Sequence, residues 1–150
     1  MEEAIRLSVE NVESGNGGPF AALVVKNGQI ISRGINRVTS TNDPTAHAEV
    51  VAISEACKTL DTYQLDDCEI YTSCEPCPMC LGAIYWARPR KIYFANTRHD
   101  AAQIGFDDSF IYDEISLPVT DRGIETEQLM RDEALSAFVA WQNKSDRIDY

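Results

Sequence analysis

No apolar stretch in this 150-residue chain approaches the roughly 20 residues a helix needs to cross a bilayer; runs such as FAALVV at Phe20 to Val25 fall far short. Met-Glu-Glu at the start lacks the basic region that opens a signal peptide, so the chain is expected in the cytoplasm and away from membranes. Positive charge is also scarce, with 13 Lys and Arg against 24 Asp and Glu and a formal net charge of −11. Such a surface repels phosphate backbones, and its one basic cluster, Arg88, Arg90 and Lys91, reads as a solvated turn after a helix. No nucleic-acid partner is expected. Repeats, low-complexity tracts and linkers are lacking as well, which leaves one domain, residues 1–150, around a single core.

What the chain does have is an uneven distribution of cysteine. Of its five cysteines, three fall in SCEPCPMC, as Cys74, Cys77 and Cys80. In a reducing compartment these are not expected to form disulfides, and their crowding favours a metal.

Local patterns supply the elements around them. Residues 2–13 read as an amphipathic helix with Ile5, Val9 and Val12 on one face. Phe20 to Lys26 and Gln29 to Asn36 are β-rich runs separated by Asn27-Gly28, a hairpin signal. Thr45 is a candidate N-cap for a helix with Ala46, Val50, Ile53, Cys57 and Leu60 on its buried stripe. Cys68 to Ser73 and Lys91 to Ala95 read as strands, and Pro78 suits the first turn of a helix running to about Ala87. GFDDSFIYDEI reads as a turn and short helix, and Asp132 to Trp141 as a terminal helix. Strands reached through helices predict an α/β sandwich with a mixed sheet.

Two ligand sets stand at the starts of two of these helices: His47 with Glu49, and Cys77 with Cys80. Zn²⁺ favours four-coordinate imidazole and thiolate sites, so one His and two Cys leave a position for water. Unpaired N–H groups and the positive dipole end at a helix start favour thiolates there. Cys77 and Cys80, three apart on a first turn, can meet one ion. Separately, a C-x-x-C or a lone His is commonplace; jointly, H-A-E and P-C-P-M-C fit the deaminase signature H-x-E…P-C-x-x-C. The rival is a closed, structural Cys₃His site that includes Cys74. Against it, Cys74 precedes Glu75-Pro76, and the restricted residue beside a proline carries the chain back toward the strand. Cys74 is therefore expected to be a small buried residue beside the site, with Cys57 and Cys68 in the core.

PFAALVV, NDPTAHAEV, YQLDDC, YTSCEPCPMCLGAIYWARP and GFDDSFIY together resemble the bacterial guanine deaminases of the cytidine deaminase superfamily, over most of the chain from Gly17 to Tyr112. The resemblance implies a three-layer sandwich in which helices flank a mixed five-stranded sheet. It implies zinc-dependent hydrolysis of guanine to xanthine and ammonia, one Zn²⁺ per subunit, and a homodimer that exchanges C-terminal segments. Tyr150 matches the family's terminal tyrosine, whose end reaches the partner's purine pocket.

In that scheme His47, Cys77 and Cys80 hold the metal, and Glu49 moves a proton from water to a ring nitrogen. Asp108 in GFDDSF resembles the family residue that assists the leaving amino group, with Asp107 as an exposed alternative. Asn36 resembles the reader of the purine edge, and Ala48 is assigned to the same substrate pocket. Phe20 could stack on the base and Trp86 could cover it, core packing being the alternative for both. His99 reads as a surface residue. Guanosine is the nearest alternative substrate; cytosine and tRNA adenosine stand further off.

Overall fold

Asn27 and Gly28 have φ angles of 51° and 76°, the left-handed backbone that a tight hairpin requires. The computed structural model of the chain describes Met1 to Tyr150 throughout. The hairpin joins β1 (Ala21–Lys26) to β2 (Gln29–Ile35), as the Asn-Gly signal predicts. The other edge of β1 pairs antiparallel with β3 (Cys68–Cys74), and β3 pairs parallel with β4 (Lys91–Asn96). The result is a mixed sheet in the order β2-β1-β3-β4.

Helix α1 (Glu2–Glu13) precedes the sheet. Between β2 and β3 lie α2 (Val38–Thr41) and α3 (Ala48–Leu60), between β3 and β4 lies α4 (Pro78–Ala87), and α5 (Arg98–Gln103) follows β4. The chain forms two compact units, Met1–Asp108 and Ser109–Tyr150. The second contains α6 (Ser109–Ser116), a 3-10 turn at Val119–Asp121 and α7 (Arg131–Asn143). The sheet thus has four strands, one fewer than the resemblance implies. Past β4 every regular element is helical: Pro118 and Gly123 break up the middle, and RDEALSAFVAWQN is rich in Ala, Leu and Glu, which favour helix over strand.

Alternating residues of β1 show where the layers sit. Ala22 and Val24 join Ala48, Ala52 and Ala56 of α3 and Ile84 and Ala87 of α4 in one core cluster. Leu23 and Val25 face the other way and pack with Ala4 of α1. Since successive strand residues point to opposite faces, α1 covers one side of the sheet and α3 with α4 the other. No helix is long and apolar enough to cross a membrane.

Two helices are rotated from what their apolar residues predict. In α1, Ile5, Val9 and Val12 are about half exposed, and the buried side is Ala4, Ser8 and Asn11. In α3 the N-cap is His47 instead of Thr45, and the deepest residues are Ala48, Ala52 and Ala56. The N-cap of α3 moves because of Asp43: its Oδ1 accepts from Thr45 N at 2.8 Å and from Thr45 Oγ1 at 2.6 Å, closing a turn ahead of the helix. The alanines of α3 lie deepest because of Gly34 on β2, where an added Cβ would lie 2.0 Å from Ala48 O and 2.6 Å from Ala52 N. Helix and strand touch backbone to backbone, which only small residues allow. This close seat places His47 at the mouth of the helix.

Candidate active site

The strand register brings the chain's reactive residues to one end of the sheet. Ala21 lies opposite Ile35, Ala22 opposite Thr72, and Cys74 opposite Asn96. Phe20 before β1, Asn36 after β2, and Cys74 with Cys77 at and beyond the end of β3 therefore share that end. They line a cavity of about 470 Å³ together with His47 and Glu49.

His47 and Cys77 are the N-caps of α3 and α4, both with extended backbone (ψ 153° and 167°) that turns the side chain beyond the helix end. Pro78 takes the first helical position, where its missing N–H costs nothing. His47 Nδ1 lies 3.5 Å from Cys77 Sγ and 3.4 Å from Cys80 Sγ, and the three ligand atoms fall within 4.8 Å of one another. One imidazole and two thiols at this spacing, above two helix N-termini, fit zinc, which would have a fourth position for water. A hydrogen bond from Cys80, reinforced by His47, brings the Cys77 thiol down to about 4. The hydrogen bond with Cys77 and burial push Cys80 upward, and His47 is raised mainly by its bond to Cys77.

Glu49 sits in the first turn of α3, 6% exposed. Its Oε1 accepts from Thr72 Oγ1 at 2.9 Å, and its Oε2 lies 3.3 Å from Cys80 Sγ. Burial raises its pKa, opposed by hydrogen bonds from its own backbone, Thr72 and Cys80. Thr72 was not predicted as a site residue. Its only sequence signal is a hydroxyl in an otherwise apolar strand position, directly opposite Ala22.

Cys74 is buried at the end of β3, lines the cavity and is not part of the three-ligand group. Its thiol donates to Thr97 O at 3.5 Å, and burial lifts its pKa to about 11. Asp108 and Asp107 both line the cavity; Asp108 is half-buried and Asp107 exposed. Burial and the nearby Cys77 charge raise the Asp108 pKa. Phe20 meets Phe106 edge-on at 4.9 Å between ring centroids, so the cavity has an aromatic wall that includes a residue not predicted from the sequence. Ala48 is fully buried in the core cluster and does not line the cavity. Nor does Trp86, 66% exposed on α4, because Cys80, Ile84 and Ala87 make that helix's buried face and Trp86 lies off it. His99 is exposed on α5, Cys68 is buried and Cys57 packs against the core. Tyr150 ends the second unit, exposed.

A carboxylate beside a His-Cys-Cys donor set, at the sheet end of an α/β sandwich, is the arrangement of the zinc-dependent hydrolytic deaminases. The chain belongs to the family described as the cytidine and deoxycytidylate deaminase zinc-binding region, which it matches over residues 1–96. A guanine deaminase of Bacillus subtilis (strain 168) is 57% identical over 150 residues, covering 100% of this chain and 96% of that protein. The X-ray structure of guanine deaminase from Bacillus subtilis superposes with a TM-score of 0.97 at 57% identity, covering 99% of this chain and 95% of that one. A guanine deaminase structure from Nitrosomonas europaea gives a TM-score of 0.68 at 38% identity, over 71% of this chain and 62% of that one. A tRNA-specific adenosine deaminase of Aquifex aeolicus (strain VF5) is 43% identical over 95 residues, 63% of this chain and 62% of that protein.

Proposed function

We propose that this chain hydrolyses guanine to xanthine and ammonia. The observation that carries the reading is 57% identity to a guanine deaminase along all 150 residues, through the second unit as well as the first. The similarity to a tRNA-specific adenosine deaminase of Aquifex aeolicus spans 95 residues.

In this reading His47, Cys77 and Cys80 hold one Zn²⁺ per subunit. When bound, the ion supplies the Lewis acidity that makes water a nucleophile near neutral pH. Glu49 accepts the water proton and delivers it to guanine N3 as oxygen adds to C2. A carboxylate whose pKa is raised by burial is suited to both halves of that transfer. Asp108, half-buried at the cavity wall, helps to protonate the exocyclic nitrogen, so that the C2–N bond breaks and ammonia leaves. Asn36 reads the purine edge, and Phe20 offers the base an aromatic surface.

The protein is proposed to act as a cytoplasmic homodimer that exchanges C-terminal segments, with Tyr150 reaching the partner's purine pocket. Support comes from the second unit, where Phe110, Ile115, Leu129 and Phe138 are each more than half exposed and an assembly would cover them. Ammonia release from guanine, guanosine, adenine, cytosine and cytidine tests the whole reading. Guanine is expected to be turned over fastest; a preference for guanosine would transfer the assignment to the nucleoside.

A further inference from the structure

Asn11 is the one polar residue at the C-terminal end of α1's buried face, 2% exposed and not among the residues that line the cavity. Both of its carboxamide hydrogens are engaged across the fold: Nδ2 donates to Gly18 O at 2.8 Å and to Asn36 O at 2.9 Å. Its Oδ1 is buried with no partner at all. A side chain selected only for packing would not keep a buried oxygen unpaired, since a leucine of similar shape carries no such penalty.

The two carbonyls it joins belong to the segments that shape the substrate cavity. The Gly17–Gly18 turn leads into Phe20, and Asn36 N donates to Phe20 O at 3.0 Å. Gly17 approaches so closely that an added Cβ would lie 2.2 Å from Asn36 O, the same oxygen that accepts from Asn11. With the backbones clamped, the Asn36 side chain is oriented as well: its Oδ1 lies 3.4 Å from Gly18 N and 3.3 Å from Val38 N, both of which donate to it. Its Nδ2 is then the group left to face a ligand in the cavity, as a donor toward an acceptor on the base.

We propose that Asn11 is a positioning residue for substrate recognition: by bridging Gly18 O and Asn36 O it holds the Asn36 carboxamide with its NH₂ group toward the substrate. This rests on the guanine reading of the cavity. The inference explains why a helix on the far face of the sheet carries a buried amide at the point where it passes the site.

The test uses the full-length zinc-loaded protein and Asn11→Leu, which keeps the side-chain volume and removes both donors. KM for guanine is expected to rise about tenfold while kcat changes by less than about threefold, with zinc content unchanged. In an Asn36→Ala background the same substitution is expected to add nothing to KM, because the group it positions is gone. Amide hydrogen exchange at Gly18 and Val38 is expected to speed up about tenfold, with Val24 in the core unaffected. An unchanged KM with a lowered melting temperature would mean that Asn11 is structural and would overturn the proposal, as would an equal KM rise in both backgrounds. If Asn11→Leu does not fold, Asn11→Asp carries the same readouts with the donors replaced by a carboxylate. Wild-type protein inactive on guanine would sink the functional reading instead; the exchange rates at Gly18 and Val38 then decide Asn11, faster exchange supporting its positioning role and unchanged exchange overturning it.

Discussion

Thr72 Oγ1 on β3 donates a 2.9 Å hydrogen bond to Glu49 Oε1 on α3, tying the sheet to the buried carboxylate beside the metal-ligand group. A hydrogen bond to a charged group is worth about 1.5–3 kcal/mol, so Thr72→Val is expected to lower kcat by about 10- to 100-fold. Thr72→Ser, which keeps the hydroxyl, should retain most of the activity. Steady-state kinetics with zinc quantified in the same samples separates lost orientation from lost metal.

Glu49→Gln keeps the shape of the side chain and removes the base. Turnover of guanine is expected to fall by at least about 10²- to 10⁴-fold, the range of a general acid–base contribution. Zinc should stay bound, because Glu49 is not one of the three grouped ligands. An active Glu49→Gln enzyme would remove the proton-transfer role.

The divided cysteine cluster gives a contrast between two variants. Cys74→Ala, which removes a thiol bonded to Thr97 O, is expected to keep one zinc per chain and a cooperative melt. Cys80→Ala is expected to lose the metal, and metal loss to lower the melting temperature. Elemental analysis after dialysis measures both; zinc lost from Cys74→Ala would favour the closed Cys₃His site.

Gly34→Ala addresses the seat of α3. A methyl 2.0 Å from Ala48 O has to push the helix off the sheet, at a cost of about 1–3 kcal/mol or more. A lower denaturation midpoint and a reduced kcat are expected together, because the helix that shifts carries His47 and Glu49. Gly28→Ala meets no neighbouring atom and strains only the hairpin turn, so it should lower stability with kcat unaffected.

Glu3 provides a pH signature distant from the site. Hydrogen bonds from Arg6 and Arg33 lower its pKa from 4.5 to about 2. A carboxyl depressed in the folded state contributes stability that is present above pH 4.5 and is lost as the pH falls toward 2. Glu3→Gln is therefore expected to flatten the acid side of the stability curve over that window, and carbonyl NMR titration of Glu3 should find its midpoint near the lower value. Because the group is solvated, added salt should shrink the effect.

The elements that the sequence predicts well are those whose cause is local. Asn27-Gly28 makes the hairpin because both residues tolerate positive φ, and Pro78 starts α4 because the first helical position needs no N–H. Cys74, beside Glu75-Pro76, stays with its strand as the restricted backbone requires. Predictions slip where the deciding partner is remote. In α1 the apolar spacing points to Ile5, Val9 and Val12, whereas the packed face is Ala4, Ser8 and Asn11; α3 begins at Ala48 because Asp43 takes Thr45 and Gly34 admits the alanines.

The sequence by itself determined the ligand chemistry: one imidazole and two thiols at two helix starts, with a carboxylate two residues from the imidazole, in an acidic chain with no span for a membrane. Spacing and residue type carry that information because a helix's first turn brings such groups together locally. Only the tertiary structure decided which residues hold that chemistry in place. Thr72 meets Glu49 across 23 positions and Asn11 meets Asn36 across 25, contacts created by strand register and by helices on opposite faces of one sheet. Such pairs arise only once the chain has closed, so no local pattern announces them.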